Sequence, residues 1–166
     1  MGTNDVPKEN AILVITMFWN KLKSIPKVVS NATGKRYSIL RDSTCTTPFV
    51  IYCALCTKCN FQGVGSTVEW KPRLRNYKSH IKQKVSSCRI VRHYTQVCVD
   101  NNNPFGHLRF VIIDKLNNTD GLNSDQIDDL LLIKEKFWIG SLVTQHQGMN
   151  GTHDWNRTRR NDKINK

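Results

Sequence analysis

Apolar residues gather in separated runs along this chain, and the spacing within each run predicts its element. Ala11 to Trp19 is followed by Asn20, Lys21 and Lys23, which reads as an amphipathic helix ending before Pro26. That helix is either core or part of an interface with a segment upstream. Lys35 to Leu40 predicts a short strand. Phe49 to Leu55 is apolar, β-branched and aromatic after Pro48, the pattern of a buried strand. Gly63 to Thr67 is a second short strand or its exit turn. Glu69 to about Val85 predicts a basic helix, with Pro72 tolerable only in its first turn. Leu108 to Asp114 alternates as a third strand, and the Asn117–Asn123 stretch is turn-rich. Ser124 is placed to cap a helix from Asp125 to about Val143. Trp138, Phe137 and Met149 read as packing residues. The expected fold class is α+β, a small antiparallel sheet with helices beside it. Three segments result: residues 1–33 as N-terminal helix and connector, 34–157 as the main domain, and 158–166 as a basic tail.

Composition narrows the partners. Lys and Arg number 25 against 13 Asp and Glu, a formal charge of +12 with pI near 9.7. Such an excess favours a polyanion, because neutralising phosphates releases condensed counterions. Arg157, Arg159, Arg160 and Lys163 in the tail are either phosphate contacts or a solvated end. The longest apolar run is well short of the roughly 20 residues that span a bilayer. Asp5 and Glu9 precede it and no small-residue cleavage site follows, so it is a poor secretory signal. The six cysteines therefore point to a reducing compartment rather than to a disulfide scaffold, although sequons such as Asn150-Gly151-Thr152 would suit export.

Cys56-Thr57-Lys58-Cys59 follows the first buried strand, and a two-residue spacing lets both thiolates face one tetrahedral ion. His93 is the best third ligand. Cys98 or His107 would supply the fourth. A buried thiol pair or a redox pair are the alternatives, but redox pairs usually open a helix and Asn60-Phe61-Gln62-Gly63 does not. A structural Zn²⁺ here would stabilise the fold without entering the chemistry.

The order of short motifs adds a family resemblance. Val50-Ile51-Tyr52 precedes Gly63-Val64-Gly65-Ser66-Thr67, and Pro72 to Ile81 follows. Arg92-His93-Tyr94, then Lys134 to Ile139, then Gly148-Met149-Asn150 complete the series. Over residues 34–157 this resembles the GIY-YIG nuclease superfamily. The cysteine pair between the first two motifs, the His-aromatic dipeptide and the leading Cys45-Thr46-Thr47-Pro48 resemble its Penelope-like retroelement branch. That resemblance implies a three-stranded antiparallel sheet flanked by helices with an inserted zinc knuckle. It implies a DNA endonuclease using Mg²⁺ or Mn²⁺, a reverse transcriptase domain or its RNA template as a further partner, and a nuclear setting. By position, Tyr52 corresponds to the tyrosine lining the active site, Arg73 to the arginine holding the scissile phosphate, Glu135 to the metal-binding glutamate and Asn150 to the asparagine after the last core element.

These residue types suit phosphodiester hydrolysis, which needs charge stabilisation at phosphate oxygens and an activated water. Arg73 offers a guanidinium fork, Glu135 a hard oxygen ligand for Mg²⁺, and Tyr52 a proton acceptor or relay. Arg73, Tyr77 and Lys84 are spaced to share one helix face. Two positions depart from the family pattern. Gly63 stands where the second motif has tyrosine, and Tyr77 stands where histidine is usual, a poorer base near neutrality. Cys98 stands where the branch has histidine, a mild exchange between two zinc ligands. The expectations are thus an endonuclease, or a weakened or inactive zinc-stabilised module that binds DNA.

Overall fold

The computed structural model describes residues 27–39, 43–86 and 88–151. The helix expected over 11–25, the basic tail and Trp155 lie outside them. The α+β class holds. Strand β3 (Pro48–Cys56) is the centre of a three-stranded antiparallel sheet, flanked by β4 (Gln62–Glu69) and β5 (Leu108–Lys115). Its register pairs Tyr52 with Gly65 on one side and with Ile112 on the other. Side chains on a strand alternate between faces, and β3 uses both. Val50, Tyr52, Ala54 and Cys56 enter one apolar cluster with Trp70, Tyr77, Ile90 and Phe110. Ile51 and Cys53 enter another with Ile113, Leu131, Trp138 and Ile139. Both faces are covered, which explains why this strand reads as an unbroken apolar run.

Helix α1 (Trp70–Lys82) follows β4 directly. Pro72 sits in its first turn, where a missing N–H costs no intrahelical bond. Trp70, Tyr77 and Ile81 face inward while Lys71, Arg75, Lys78 and Lys82 are exposed. The helix stops sooner than expected. Lys84 lies beyond its end with φ 55, so it does not share a helical face with Arg73 and Tyr77. Helix α2 (Arg89–Arg92) opens without a sequence signal and runs into a wider π turn, His93–Val97, closed by the Cys98 N–H on the His93 carbonyl at 2.7 Å.

Helix α3 (Ser124–Leu142) packs Leu131, Glu135, Trp138, Ile139 and Leu142 against the sheet. Its cap is Asn123 rather than Ser124: the Asn123 carboxamide accepts from the Gln126 N–H while the Gln126 side chain accepts from the Asn123 N–H. That reciprocal pair satisfies two amides, which a serine one position later cannot. Trp138 and Met149 are buried as expected, but Phe137 is 61% exposed, because it points away from the face that carries Trp138. Val143 turns the chain through the left-handed region into α4 (Thr144–Gln147). A hairpin of β1 (Lys27–Val29) and β2 (Arg36–Ser38) spans the connector ending at residue 33. It is tied to the end of α3, with Ser30 Oγ donating to the Leu142 carbonyl at 2.9 Å and Tyr37 to that of Ser141 at 2.8 Å. No helix among the described residues is long and apolar enough to cross a membrane.

Candidate active site and metal centre

Cys56 ends β3 and Cys59 lies in the turn before β4. The π turn then contributes His93 at its start and Cys98 just past its end. The ligand atoms of these four side chains all lie within 4.8 Å of one another. Zinc bonded to sulfur at about 2.3 Å has tetrahedral edges of about 3.8 Å, so the group is sized for one such ion. The Cys59 Sγ and His93 Nε2 stand 3.3 Å apart. Cys98 lies five positions after His93, and the wide turn brings both to one point. Burial lowers the His93 pKa and so favours the neutral imidazole that binds metals. Burial opposes ionisation at Cys56 as well, but backbone N–H groups of Cys59 and Lys58 outweigh it and lower that thiol. Burial pushes Cys59 up to about 12 and raises Cys98, so a cation is what would draw these thiols into the thiolate form. His107 is not in this group. Its ring faces Thr57 at 3.4 Å and Asp100 at 3.8 Å, which leaves Cys98 as the fourth member. The six cysteines are all free thiols, and the disulfide alternative has no support among them.

A second cluster gathers around β4. Tyr52 is fully buried and its hydroxyl is 2.7 Å from that of Tyr77, one turn along α1 from Arg73. Trp70 and Phe110 hold the two rings, with centroids 4.7 Å from Trp70 to Tyr52 and 5.2 Å from Phe110 to Tyr77. The Tyr52 ring lies across Gly65, where any Cβ would fall into it. Burial pushes the Tyr52 phenol up to about 12 and Tyr77 well above its ordinary value. Half-buried Arg73 keeps its charge: burial opposes it, and the electrostatics of Tyr52, Tyr77, Cys88 and Glu135 more than offset that. From the opposite face of the sheet, Glu135 reaches the same strand, and Ser66 Oγ donates to its carboxylate. An exposed glutamate between two lysines is the ordinary outcome, yet Glu135 is 4% exposed while Lys134 turns to Asp114 at 2.7 Å. A buried carboxylate is a hard oxygen donor of the kind that helps hold Mg²⁺.

Asn150 has a different geometry. Its Oδ1 accepts from Val64 N–H at 2.6 Å and from Thr144 Oγ1 at 2.8 Å, and its Nδ2 donates to the Val64 carbonyl at 2.9 Å. The carboxamide thus imitates a strand rung on the outer edge of β4. Gly63 is equally informative. A Cβ there would stand 2.9 Å from that of Met149 and 3.1 Å from Ile90 Cγ1. The position where the sequence resemblance expects a tyrosine is filled by packing. Sequence reasoning missed Ser66 and Cys88. Ser66 follows Gly65 directly, a usable signal, whereas nothing local marks Cys88 as a neighbour of Tyr52, Tyr77 and Arg73.

No protein-family model matches the chain, and no curated protein matches it. Among solved structures, the catalytic domain of the homing endonuclease I-TevI is similar at 18% identity and TM-score 0.45, covering 60% of this chain and 94% of that one. A point mutant of the catalytic domain of the intron endonuclease I-TevI is similar at 19% identity and TM-score 0.44, covering 59% and 87%.

Proposed function

We propose that this chain is a GIY-YIG-type DNA endonuclease of the Penelope-like kind, with Zn²⁺ held by Cys56, Cys59, His93 and Cys98. The observation that carries the reading is the convergence of Tyr52, Tyr77, Arg73 and Glu135 on β4, from elements far apart in sequence. A half-buried arginine and a buried carboxylate within electrostatic reach of each other are of little use to stability alone and suit a phosphodiester. Arg73 would take the non-bridging oxygens bidentately. Glu135, oriented by Ser66, would hold Mg²⁺ or Mn²⁺, which when bound supplies charge neutralisation and an acidified water. The Tyr52 and Tyr77 hydroxyls are hydrogen-bonded to each other, and both stay neutral near pH 7. Their part is to orient the water or relay its proton rather than to stand as ionised bases. The exposed cations of α1 and the net charge of +12 suit a DNA backbone. In a retroelement the product would be nicked DNA offered to a reverse transcriptase, which places the work in the nucleus.

The packed Gly63 favours a second reading, a DNA-binding module with little or no cutting. Nicking of supercoiled plasmid by zinc-loaded protein in Mg²⁺ or Mn²⁺, beside Glu135→Ala, decides between them. Nicking that Glu135→Ala abolishes supports the enzyme. Salt-sensitive binding without nicking by either protein leaves the module.

A further inference from the structure

The turn that delivers His93 and Cys98 also carries Tyr94, which the nuclease reading does not use. Tyr94 is 3% exposed and sits in the same apolar cluster as Cys56 and Cys98. Its ring meets that of His93 edge-on with centroids 5.1 Å apart, and Phe61 covers His93 at 5.7 Å. Phenylalanine would serve packing as well, because a hydroxyl out of reach of water is costly unless it finds a partner. The Tyr94 hydroxyl is closed off from solvent and makes no well-aligned hydrogen bond. The Cys56 thiol is nonetheless within its hydrogen-bonding reach. Burial first, then Cys56, then Cys59 and Cys98 hold the phenol in its protonated form.

The charge of the Cys/His group gives such a hydroxyl a use. Three thiolates and a neutral imidazole outweigh a divalent cation, so a zinc-loaded group holds one surplus negative charge beside an apolar cluster. Donors aimed at sulfur spread that charge and keep the thiolates in position. Cys56 receives two of them, the backbone N–H groups of Cys59 and Lys58. It is fully buried at the end of β3, so water cannot supply another. A neutral thiol is a weak acceptor and a thiolate a strong one, so the buried O–H gains its full partner when Cys56 ionises onto a metal.

We propose that Tyr94 is a positioning residue of the metal group, its hydroxyl donating to the Cys56 thiolate when Zn²⁺ is bound. This rests on the Zn²⁺ reading of Cys56, Cys59, His93 and Cys98. The full 166-residue chain and its Tyr94→Phe variant are titrated with Co²⁺, a spectroscopic stand-in for Zn²⁺, and with Zn²⁺ against a competing chelator. The parent chain should show the ligand-field and sulfur-to-cobalt charge-transfer bands of a tetrahedral thiolate site. If it binds neither ion, the metal reading itself falls. Tyr94→Phe should keep the tetrahedral bands and hold Zn²⁺ about tenfold more weakly. Its charge-transfer band should move to longer wavelength, because a thiolate without its donor gives up an electron more readily. Lost packing alone would weaken binding without moving that band. A parent chain with the tetrahedral bands and a Tyr94→Phe band that has not moved therefore overturns the proposal, whatever the affinity. Should Tyr94→Phe fail to fold, the parent chain loaded with NMR-active Cd²⁺ decides. Scalar coupling between the ion and the Tyr94 hydroxyl proton is then expected, and its absence overturns the proposal.

Discussion

Asn150 is the sharpest place to separate architecture from chemistry, because family position would make it part of the site and geometry makes it a clamp. Replacing it with alanine removes two bonds to the Val64 backbone and one from Thr144 Oγ1, all buried. Each buried group left without a partner costs about 1–3 kcal/mol, and a water entering the gap recovers part, so the expected loss is about 3–5 kcal/mol. Against a usual total of about 5–15 kcal/mol that is severe. Asn150→Asp is a harsher probe than its shape suggests. It keeps the acceptor for Val64 N–H but sets a carboxylate oxygen against the Val64 carbonyl. It should cost at least as much as alanine. Urea unfolding of zinc-loaded protein followed by circular dichroism reads the loss directly, with unchanged denaturant slope expected. Nicking should fall only as the folded fraction falls. A loss below about 1 kcal/mol, within the range of ordinary surface changes, would refute the clamp. So would a variant of parental stability that no longer nicks, since Asn150 would then act on substrate.

Further outcomes follow from the same geometry. Zinc content should survive His107→Ala and be lost in Cys98→Ser, as read by thiol titration with a zinc indicator; the reverse would move the fourth ligand to His107. Gly63→Tyr should destabilise by about 1–3 kcal/mol through overpacking against Met149 and Ile90, without raising nicking, and Ile90→Ala in the same chain should recover part of the loss in a double-mutant cycle. The Tyr52 phenol, raised from 10.0 to about 12, stabilises the fold below pH 10 and loses that contribution as pH rises to about 12. This is about 3 kcal/mol in all, and about 2 kcal/mol of it should be gone by about pH 11.5. Urea midpoints should therefore fall more steeply with pH in the parent chain than in Tyr52→Phe, and parallel curves would contradict the buried hydroxyl. Ser66→Ala should lower nicking and weaken apparent Mn²⁺ affinity together, with Ser66→Thr partly restoring both; a change in rate at unchanged metal dependence would remove Ser66 from the carboxylate.

What the residues announced in advance was decided by range of interaction. The central strand was legible because burial on both faces writes a continuous apolar run between Pro48 and Cys56. The Cys/His group was nearly legible, because two of its members lie three residues apart and only the choice between Cys98 and His107 needed three dimensions. The π turn that makes that choice has no pattern of its own; it is set by which groups it must bring together. Glu135 could not be told from an exposed helix residue by its lysine neighbours, since the deciding fact is the packing of α3 over β4. Phe137 failed for the opposite reason. Apolar type suggested core, while its place on the helix, one residue before Trp138, turned it outward. Strand β2 was legible as the short strand within Lys35 to Leu40, but β1 and its pairing were missed, because three residues carry little pattern and their value lies in ties to the end of α3.

The two positions that depart from the pattern the sequence resembles have different physical standing. Tyr77 replaces one polar ring with another on the same turn of α1 and finds a partner at once, the Tyr52 hydroxyl. The site keeps a hydrogen bond there and changes only how readily the partner takes a proton. Gly63 is bound up with the metal centre. Ile90, which occupies the space over Gly63, belongs to α2, and α2 runs without a break into the turn that delivers His93 and Cys98. Met149 closes the same space and is held by its N–H on the Gln62 carbonyl at 2.7 Å, next to the Asn150 clamp. Restoring a tyrosine at 63 would have to displace Ile90, hence α2, hence two of the four members of the Cys/His group. The strand links the same parts from within: Tyr52 and Cys56 share a face of β3 about 13 Å apart, so the knuckle fixes one end of the surface on which the site is built. Glycine at 63 is therefore tied to how the Cys/His group is packed, and the proposed activity has to be judged with Gly63, Ile90 and that group as one unit.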